Sequence, residues 1–318
     1  MRVIDKLAFG RESIEDLLTN ERFQLVVGDI RHVEDVTSAM ADIEAVIDLA
    51  AIVGAPACDR NGEASVETNY YATRLLAQVA NDYGVRRLLF ASTCSVYGAS
   101  ESMLNEESPT STLSLYAETK LKSEQALMET RGNLEPVILR MSTLCGPSYR
   151  MRFDLVLNVM TASAMVDGAI NVFGGKQWRP LLDVRDASRA FAMILEEERE
   201  DVSHQILNVG SEKNNIVISD LARLISRELG DVPVTTYPRN EDPRSYKVDF
   251  SKIRRLGFET QITLNESVRG VKRLFDEGLI DDYRDCKYNN TTWVVPALRP
   301  DWESFKSRHE SQSVGLGA

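Results

Sequence analysis

Short β-rich runs alternate with longer amphipathic stretches through the first half of this 318-residue chain, and that alternation admits few folds. Strands are expected at residues 2–4, 23–27, 45–49, 87–91 and 136–140. Between them, residues 66–83 set Val66, Tyr70, Leu75, Leu76, Val79 and Tyr83 near helical spacing, and residues 114–130 read as a second helix. Strands separated by helices pair in parallel, because each connection must cross over the sheet. The expected fold class is therefore α/β, a doubly wound parallel sheet. Several strands end in polar or small residues: Asp5, Gly28-Asp29, Ala50-Ala51 and Ser92-Thr93. Ligands of open α/β sheets sit beyond the carboxyl ends of the strands, so these residues are placed to meet one.

Beyond about residue 145 the pattern loosens into a smaller mixed lobe. Helices are expected at 152–167, 186–198, 218–229 and 265–275, with strands at 169–173 and 204–209. The tail after Asp282, with Trp293, Pro296, Pro300 and Trp302, reads as irregular, and the acidic run 196–201 as a solvated helix end. With 37 Lys+Arg against 48 Asp+Glu, a net charge of −11 supplies no global positive field for nucleic acid or acidic membrane. Cys58, Cys94, Cys145 and Cys286 form no CxxC pair, which argues against a metal site and a disulfide framework. They read as reduced thiols of a cytoplasmic protein. No apolar run approaches the roughly 20 residues of a membrane span.

Chemistry is first suggested by Tyr116-Ala117-Glu118-Thr119-Lys120, a Tyr-x-x-x-Lys within an expected helix. Four residues of separation put both side chains on one face, and a nearby ammonium lowers a phenol's pKa toward use as a base. An exposed Tyr beside an exposed Lys fits the same spacing. Upstream, the apolar run 88–91 leads into Ser92-Thr93-Cys94-Ser95-Val96-Tyr97-Gly98, a hydroxyl-rich turn at a strand's carboxyl end. Such hydroxyls can orient a substrate oxygen, or simply satisfy the backbone of a turn.

Together these residues resemble the extended short-chain dehydrogenase/reductases, specifically the NAD-dependent nucleotide-sugar epimerases and dehydratases, the UDP-glucose 4-epimerases among them. The resemblance runs through Asp5, Gly28-Asp29-Ile30, Leu49-Ala50-Ala51, Asn69, Ser92 to Gly98, Tyr116/Lys120, Leu139-Arg140, Gly146-Pro147, Arg179-Pro180, Asp183-Val184-Arg185-Asp186 and Asn208-Val209-Gly210. It implies a Rossmann-type sheet over residues 1–145, completed by segments near 181–210, and a substrate lobe over 146–180 and 211–318. Asp5 would hold the adenosine ribose, favouring NAD over NADP, whose 2′-phosphate a carboxylate repels. Lys6 beside it leaves some tolerance for NADP. Asp29 and Ile30 would flank the adenine, Leu49, Ala50 and Ala51 would pass close to the cofactor, and Asn69 would steady the site's backbone. Thr93, Tyr116 and Lys120 would form the catalytic trio, with Tyr116 and Lys120 also touching the cofactor and Thr93 the substrate. Asn158, Arg179 and Arg244 resemble the contacts to the nucleotide diphosphate, since an arginine fork suits a pyrophosphate. For a single Arg, a surface salt bridge is the competing account.

Two departures sharpen this picture. Dehydratases of the family carry Asp-Glu directly after the catalytic Thr, where this chain has Cys94-Ser95. Without those carboxylates, epimerisation through a 4-keto sugar or simple ketoreduction is favoured over loss of water. The glycine fingerprint Gly-x-x-Gly-x-x-Gly is also absent, so the first strand and its phosphate-binding turn, roughly 30 residues, are expected to be missing. The accounts are a shortened gene product, a unit outside this sequence, or divergence toward a catalytically silent nucleotide-binding regulator. The resemblance further implies a homodimer packed through the helices near 66–83 and 114–130.

Overall fold

The computed structural model describes residues 1–238 and 242–291. Trp293, Pro296, Pro300 and Trp302 lie outside the described residues. Thirteen strands occur among those described: β1 (Arg2–Asp5), β2 (Gln24–Val27), β3 (Ala45–Asp48), β4 (Arg87–Thr93), β5 (Ala99–Leu104), β6 (Glu135–Met141), β7 (Thr143–Cys145), β8 (Ile170–Phe173), β9 (Trp178–Asp183), β10 (Gln205–Val209), β11 (Asn215–Val217), β12 (Val234–Tyr237) and β13 (Ser245–Val248). The helices that matter here are α1 (Val33–Met40), α2 (Ala55–Arg60), α3 (Gly62–Val66), α4 (Ala72–Asp82), α5 (Leu115–Met128), α6 (Val156–Asp167) and α7 (Val184–Glu196). No helix among the described residues is long and apolar enough to cross a membrane.

The central sheet is parallel, in the order β10-β6-β4-β3. Its strands are apolar on both faces, as a sheet covered on both sides requires. On β4, Leu88 and Phe90 face a cluster with Val36 and Met40 of α1, Leu76 and Val79 of α4, and Leu127 of α5. Leu89 points the other way, toward Ala187, Ala190 and Ile194 of α7. That alternation is the doubly wound arrangement that the strand and helix pattern implied. A third cluster unites α6 with β8 and β9 in the second lobe.

The sheet departs from one continuous run. β1 and β2 form a separate parallel pair, and β1 and β3 share no ladder. Among the described residues no strand stands between them, although Ile4 of β1 and Val46 of β3 pack on the same cluster. The second lobe also holds pairings that sequence pattern did not show, β5 with β13 and β8 with β12.

Gly98 closes the turn after β4, with φ of 72° and with Ser111 O 2.0 Å from where a Cβ would stand. Gly98→Ala is therefore expected to cost about 1–3 kcal/mol, through a left-handed backbone and a backbone collision that no rotamer relieves. Chemical denaturation measures it, and a loss under 0.5 kcal/mol would refute the collision.

Candidate active site

Parallel strands bring their carboxyl ends to one edge, and there the structure assembles Thr93, Tyr116 and Lys120. Thr93 ends β4, and its Oγ1 accepts the Ser95 amide at 3.1 Å, which caps the turn that follows. Ser114 starts α5 in the same way, accepting the Ala117 amide at 3.2 Å, so the helix begins one residue before Tyr116. The Thr93 hydroxyl lies near enough to the Tyr116 phenol to favour its ionised form. Lys120 is buried, donating from Nζ to Ala91 O at 2.8 Å, with the ammonium 4.5 Å from the Phe90 ring centroid.

The electrostatics differ from the expectation that Lys120 lowers the Tyr116 pKa. Burial pushes the phenol up to about 12, and the cation opposing that rise is Arg152. Lys120 is itself brought down to about 8 by burial. Helical spacing put Tyr and Lys on one face, but the long lysine stem carries its charge inward to a strand carbonyl. Arg152 lies ahead of α6, its fork on Asp154 at 3.0 and 2.6 Å. The only sequence hint of it is the Arg150-x-Arg152 pair following Gly146-Pro147.

Arg179 and Arg244 do meet, across 65 residues of sequence. Both bind Asp242: Arg179 Nη2 at 2.8 Å, and Arg244 through Nε and Nη2 at 2.9 and 2.6 Å. Arg179 also donates to the Arg244 carbonyl. The two guanidiniums hold Asp242 well below the usual carboxylate range against the opposing effect of burial. Tyr246 lies 5.6 Å from Arg179 across its ring, has Ser95 as a hydrogen-bond partner, and acts electrostatically on Tyr116. Arg244 of this pair lies within electrostatic reach of the phenol. Sequence reading missed Tyr246 and Asp242, which no motif marked.

Two asparagines are consumed by backbone instead of being open to a ligand. Asn69 accepts the Ile52 amide at 2.8 Å and donates to Ile52 O at 3.0 Å and Thr119 Oγ1 at 3.2 Å. It sits on a π-turn, Glu67–Tyr71, between α3 and α4, and pins the loop after β3 against α5. Asn158 likewise binds Gly146 N at 3.0 Å and Arg152 O at 3.0 Å, steadying the segment that carries Arg152. Both are positioning residues.

At the other end of the site, Asp5 presents an exposed carboxylate, with Oδ1 accepting the Leu7 amide at 2.6 Å. Asp29 is committed to Arg31 in a fork at 2.8–3.1 Å, with Lys6 at 3.6 Å. Burial opposes ionisation, yet these cations hold its carboxyl down to about 2. Ile30 is packed in the core, whereas Leu49 is 61% exposed beside the half-buried Ala50 and Ala51. Cys94, in the place of a dehydratase carboxylate, is fully buried with its thiol on Arg140 O at 3.2 Å, and Ser95 caps onto Thr93. A cavity of about 450 Å³ lined by Arg31, His32, Glu67, Tyr71, Ala72 and Leu75 contains none of the trio. Among the described residues no cluster of three or more His, Cys, Asp or Glu could hold a metal ion.

The model for the NAD dependent epimerase/dehydratase family matches residues 2–210, about two thirds of the sequence. The chain belongs to that family. Among curated proteins it is 28% identical to a UDP-glucuronate 4-epimerase from Thermodesulfobacterium geofontis, covering 82% of this chain and 80% of that one. It is also 28% identical to a dTDP-glucose 4,6-dehydratase of Mycobacterium tuberculosis, covering 92% and 87%. Its relatives are thus enzymes that act on nucleotide sugars. Among solved structures, UDP-glucuronic acid 4-epimerase from Bacillus cereus with UDP-glucuronic acid and NAD superimposes with a TM-score of 0.74. That match has 24% identity and covers 86% of this chain and 91% of the other. A dTDP-glucose 4,6-dehydratase from Streptomyces venezuelae gives 0.76 at 23% identity, covering 86% and 87%. These likenesses establish a Rossmann-type fold.

NAD is the cofactor of this family, and the residues present fit its two ends. Asp5 offers a carboxylate to a ribose at the end of β1. The Lys120 ammonium has three protons and one bond to Ala91, so donors remain for the nicotinamide ribose. For the diphosphate between those ends, no glycine fingerprint stands in the sequence.

Proposed function

We propose that this chain epimerises a nucleotide-diphosphate sugar at C4 through a 4-keto intermediate, and that the sugar is a uronate. The observation that carries the reaction type is the trio of Thr93, Tyr116 and Lys120 followed by Cys94 and Ser95, which leaves no carboxylate beside Thr93 to eliminate water. NAD, when bound, supplies a hydride acceptor and a positive ring charge that favours the phenolate. Tyr116 takes the proton of the sugar hydroxyl as hydride leaves the same carbon, and Thr93 holds that oxygen. Tyr116 would hand the proton back to the same oxygen as the 4-keto sugar is reduced on its opposite face, which would give the epimer. Arg179 and Arg244 would take the diphosphate, exchanging part of their hold on Asp242 for phosphate oxygens. Arg152, the cation nearest in effect to the phenol, would take a C6 carboxylate, in keeping with the UDP-glucuronate 4-epimerase relative.

Incubation with UDP-glucuronate and catalytic NAD tests this, with sugar isomers separated by chromatography and NADH followed by absorbance. Epimer without net NADH is expected. A requirement for stoichiometric NAD(P)H would make the enzyme a 4-ketoreductase, and no turnover of any nucleotide sugar would make it a silent binder. Arg152→Ala should lower kcat/KM for UDP-glucuronate by roughly 10- to 100-fold, the worth of a charged hydrogen bond. UDP-glucose, lacking the carboxylate, should lose less, only the share that Arg152 contributes by holding down the Tyr116 pKa; equal losses on both would remove the uronate assignment. A homodimer through the helices near residues 66–83 and 114–130 belongs to the same reading, and light scattering tests it.

A further inference from the structure

Six carboxylates are buried among the described residues: Asp29, Asp48, Glu124, Glu135, Asp183 and Asp186. Five of them sit within ion-pair distance of an arginine: Asp29 with Arg31, Glu124 with Arg140, Glu135 with Arg87, Asp183 with Arg185, and Asp186 with Arg189. Asp48 makes no such pair; its oxygens accept only Thr73 Oγ1 at 3.0 Å and the Ala50 amide at 3.3 Å. Lys120 is the one lysine buried to this degree among the described residues, and it too has no carboxylate within contact distance. A buried charge without an opposite charge is strongly unfavourable, so these two remainders need each other.

Their placement allows it. Asp48 ends β3 beside Phe90 of β4 in register, and the Lys120 ammonium stands over that same Phe90 ring. Thr73 on α4 fixes the carboxylate from the other side. The remaining ionisable groups acting on Lys120 are Cys58 of α2 and Glu124 of its own helix. Cys58 donates its thiol to Ile52 O at 3.1 Å, and Glu124 is already forked onto Arg140 at 2.7–3.2 Å.

We propose that Asp48 is a positioning residue for the catalytic trio, the counter-charge that keeps Lys120 an ammonium while its Nζ is anchored on Ala91. The proposal rests on the reading of Lys120 as a catalytic residue given above. Burial already brings Lys120 down to about 8 with Asp48 in place, and Asp48 is the leading group that opposes this fall. Without that carboxylate, Lys120 loses its proton within the working pH range, and with it the charge and a donor that would hold the nicotinamide ribose.

The test is an NMR titration of the full chain labelled at lysine, with the Lys120 signal assigned by its loss in Lys120→Arg, beside kcat/KM against pH. In Asp48→Asn, the Lys120 midpoint is expected to fall by about one pH unit or more. The alkaline limb of the rate profile should fall with it, giving roughly a tenfold loss at pH 8 and little loss at pH 6. Thr73→Val should move both in the same direction by less, and it carries the measurement if Asp48→Asn does not fold. An unchanged midpoint, or an equal loss of rate at every pH, overturns the proposal. Should the wild-type protein turn over no nucleotide sugar, the proposed function fails while the midpoint shift still decides the role of Asp48.

Discussion

Tyr116→Phe is expected to lower kcat by about 10³-fold, within the range a positioned acid–base group contributes, while UDP affinity stays within about twofold. The ring keeps its half-buried place on α5, and only the proton-carrying oxygen is lost. Calorimetry with UDP and turnover of UDP-glucuronate measure the two quantities; retained turnover would remove Tyr116 from the chemistry. The pH dependence has a definite sign. With the phenol pushed up to about 12, its basic form rises tenfold for each pH unit below that point, so kcat/KM should climb with pH. The climb should flatten near pH 8, where Lys120 gives up its proton. A rate falling steadily from pH 6 to 8 would contradict this assignment of roles.

Much of that site was legible as spacing, and what escaped was partnership. Strand ends, the helix over residues 114–130 and the i, i+4 relation of Tyr116 and Lys120 are local, and local periodicity reports them directly. The destination of the Lys120 ammonium is not local: a four-carbon stem buried against β4 finds the Ala91 carbonyl before it finds the phenol. Asn69 and Asn158 are polar residues in the right places, but a buried side-chain amide satisfies whichever backbone is nearest, here Ile52, Gly146 and Arg152. Arg179 and Arg244 could be singled out by their chemistry, whereas the Asp242 that joins them lay outside any motif. The β5–β13 pairing joins segments about 140 residues apart, a separation at which one strand's pattern says nothing of its partner.

The same distinction between local pattern and distant partner governs stability beneath the site. Glu124 lies one helical turn beyond Lys120 on α5 and reads from the sequence as one more helix acid. In the structure it accepts Ser92 Oγ and the Arg140 fork, while Arg140 Nη1 donates to Tyr97 Oη at 3.0 Å and Tyr97 donates to Asn208 Oδ1 at 2.8 Å. This chain ties α5 to β4, β6 and β10, with each charged member under 4% exposed. Glu124→Met leaves the Arg140 guanidinium buried without its counter-charge and is expected to destabilise the fold by about 3–5 kcal/mol. Arg140→Met should cost a similar amount by stranding Glu124, yet the pair of changes Glu124→Met and Arg140→Met should cost well under their sum, because no charge is then left behind. A double-mutant cycle by denaturant unfolding measures that difference. Additive losses would mean that each residue acts through packing alone, and the helix that presents Tyr116 and Lys120 would then owe its position to its apolar contacts with β4 and not to this buried charge.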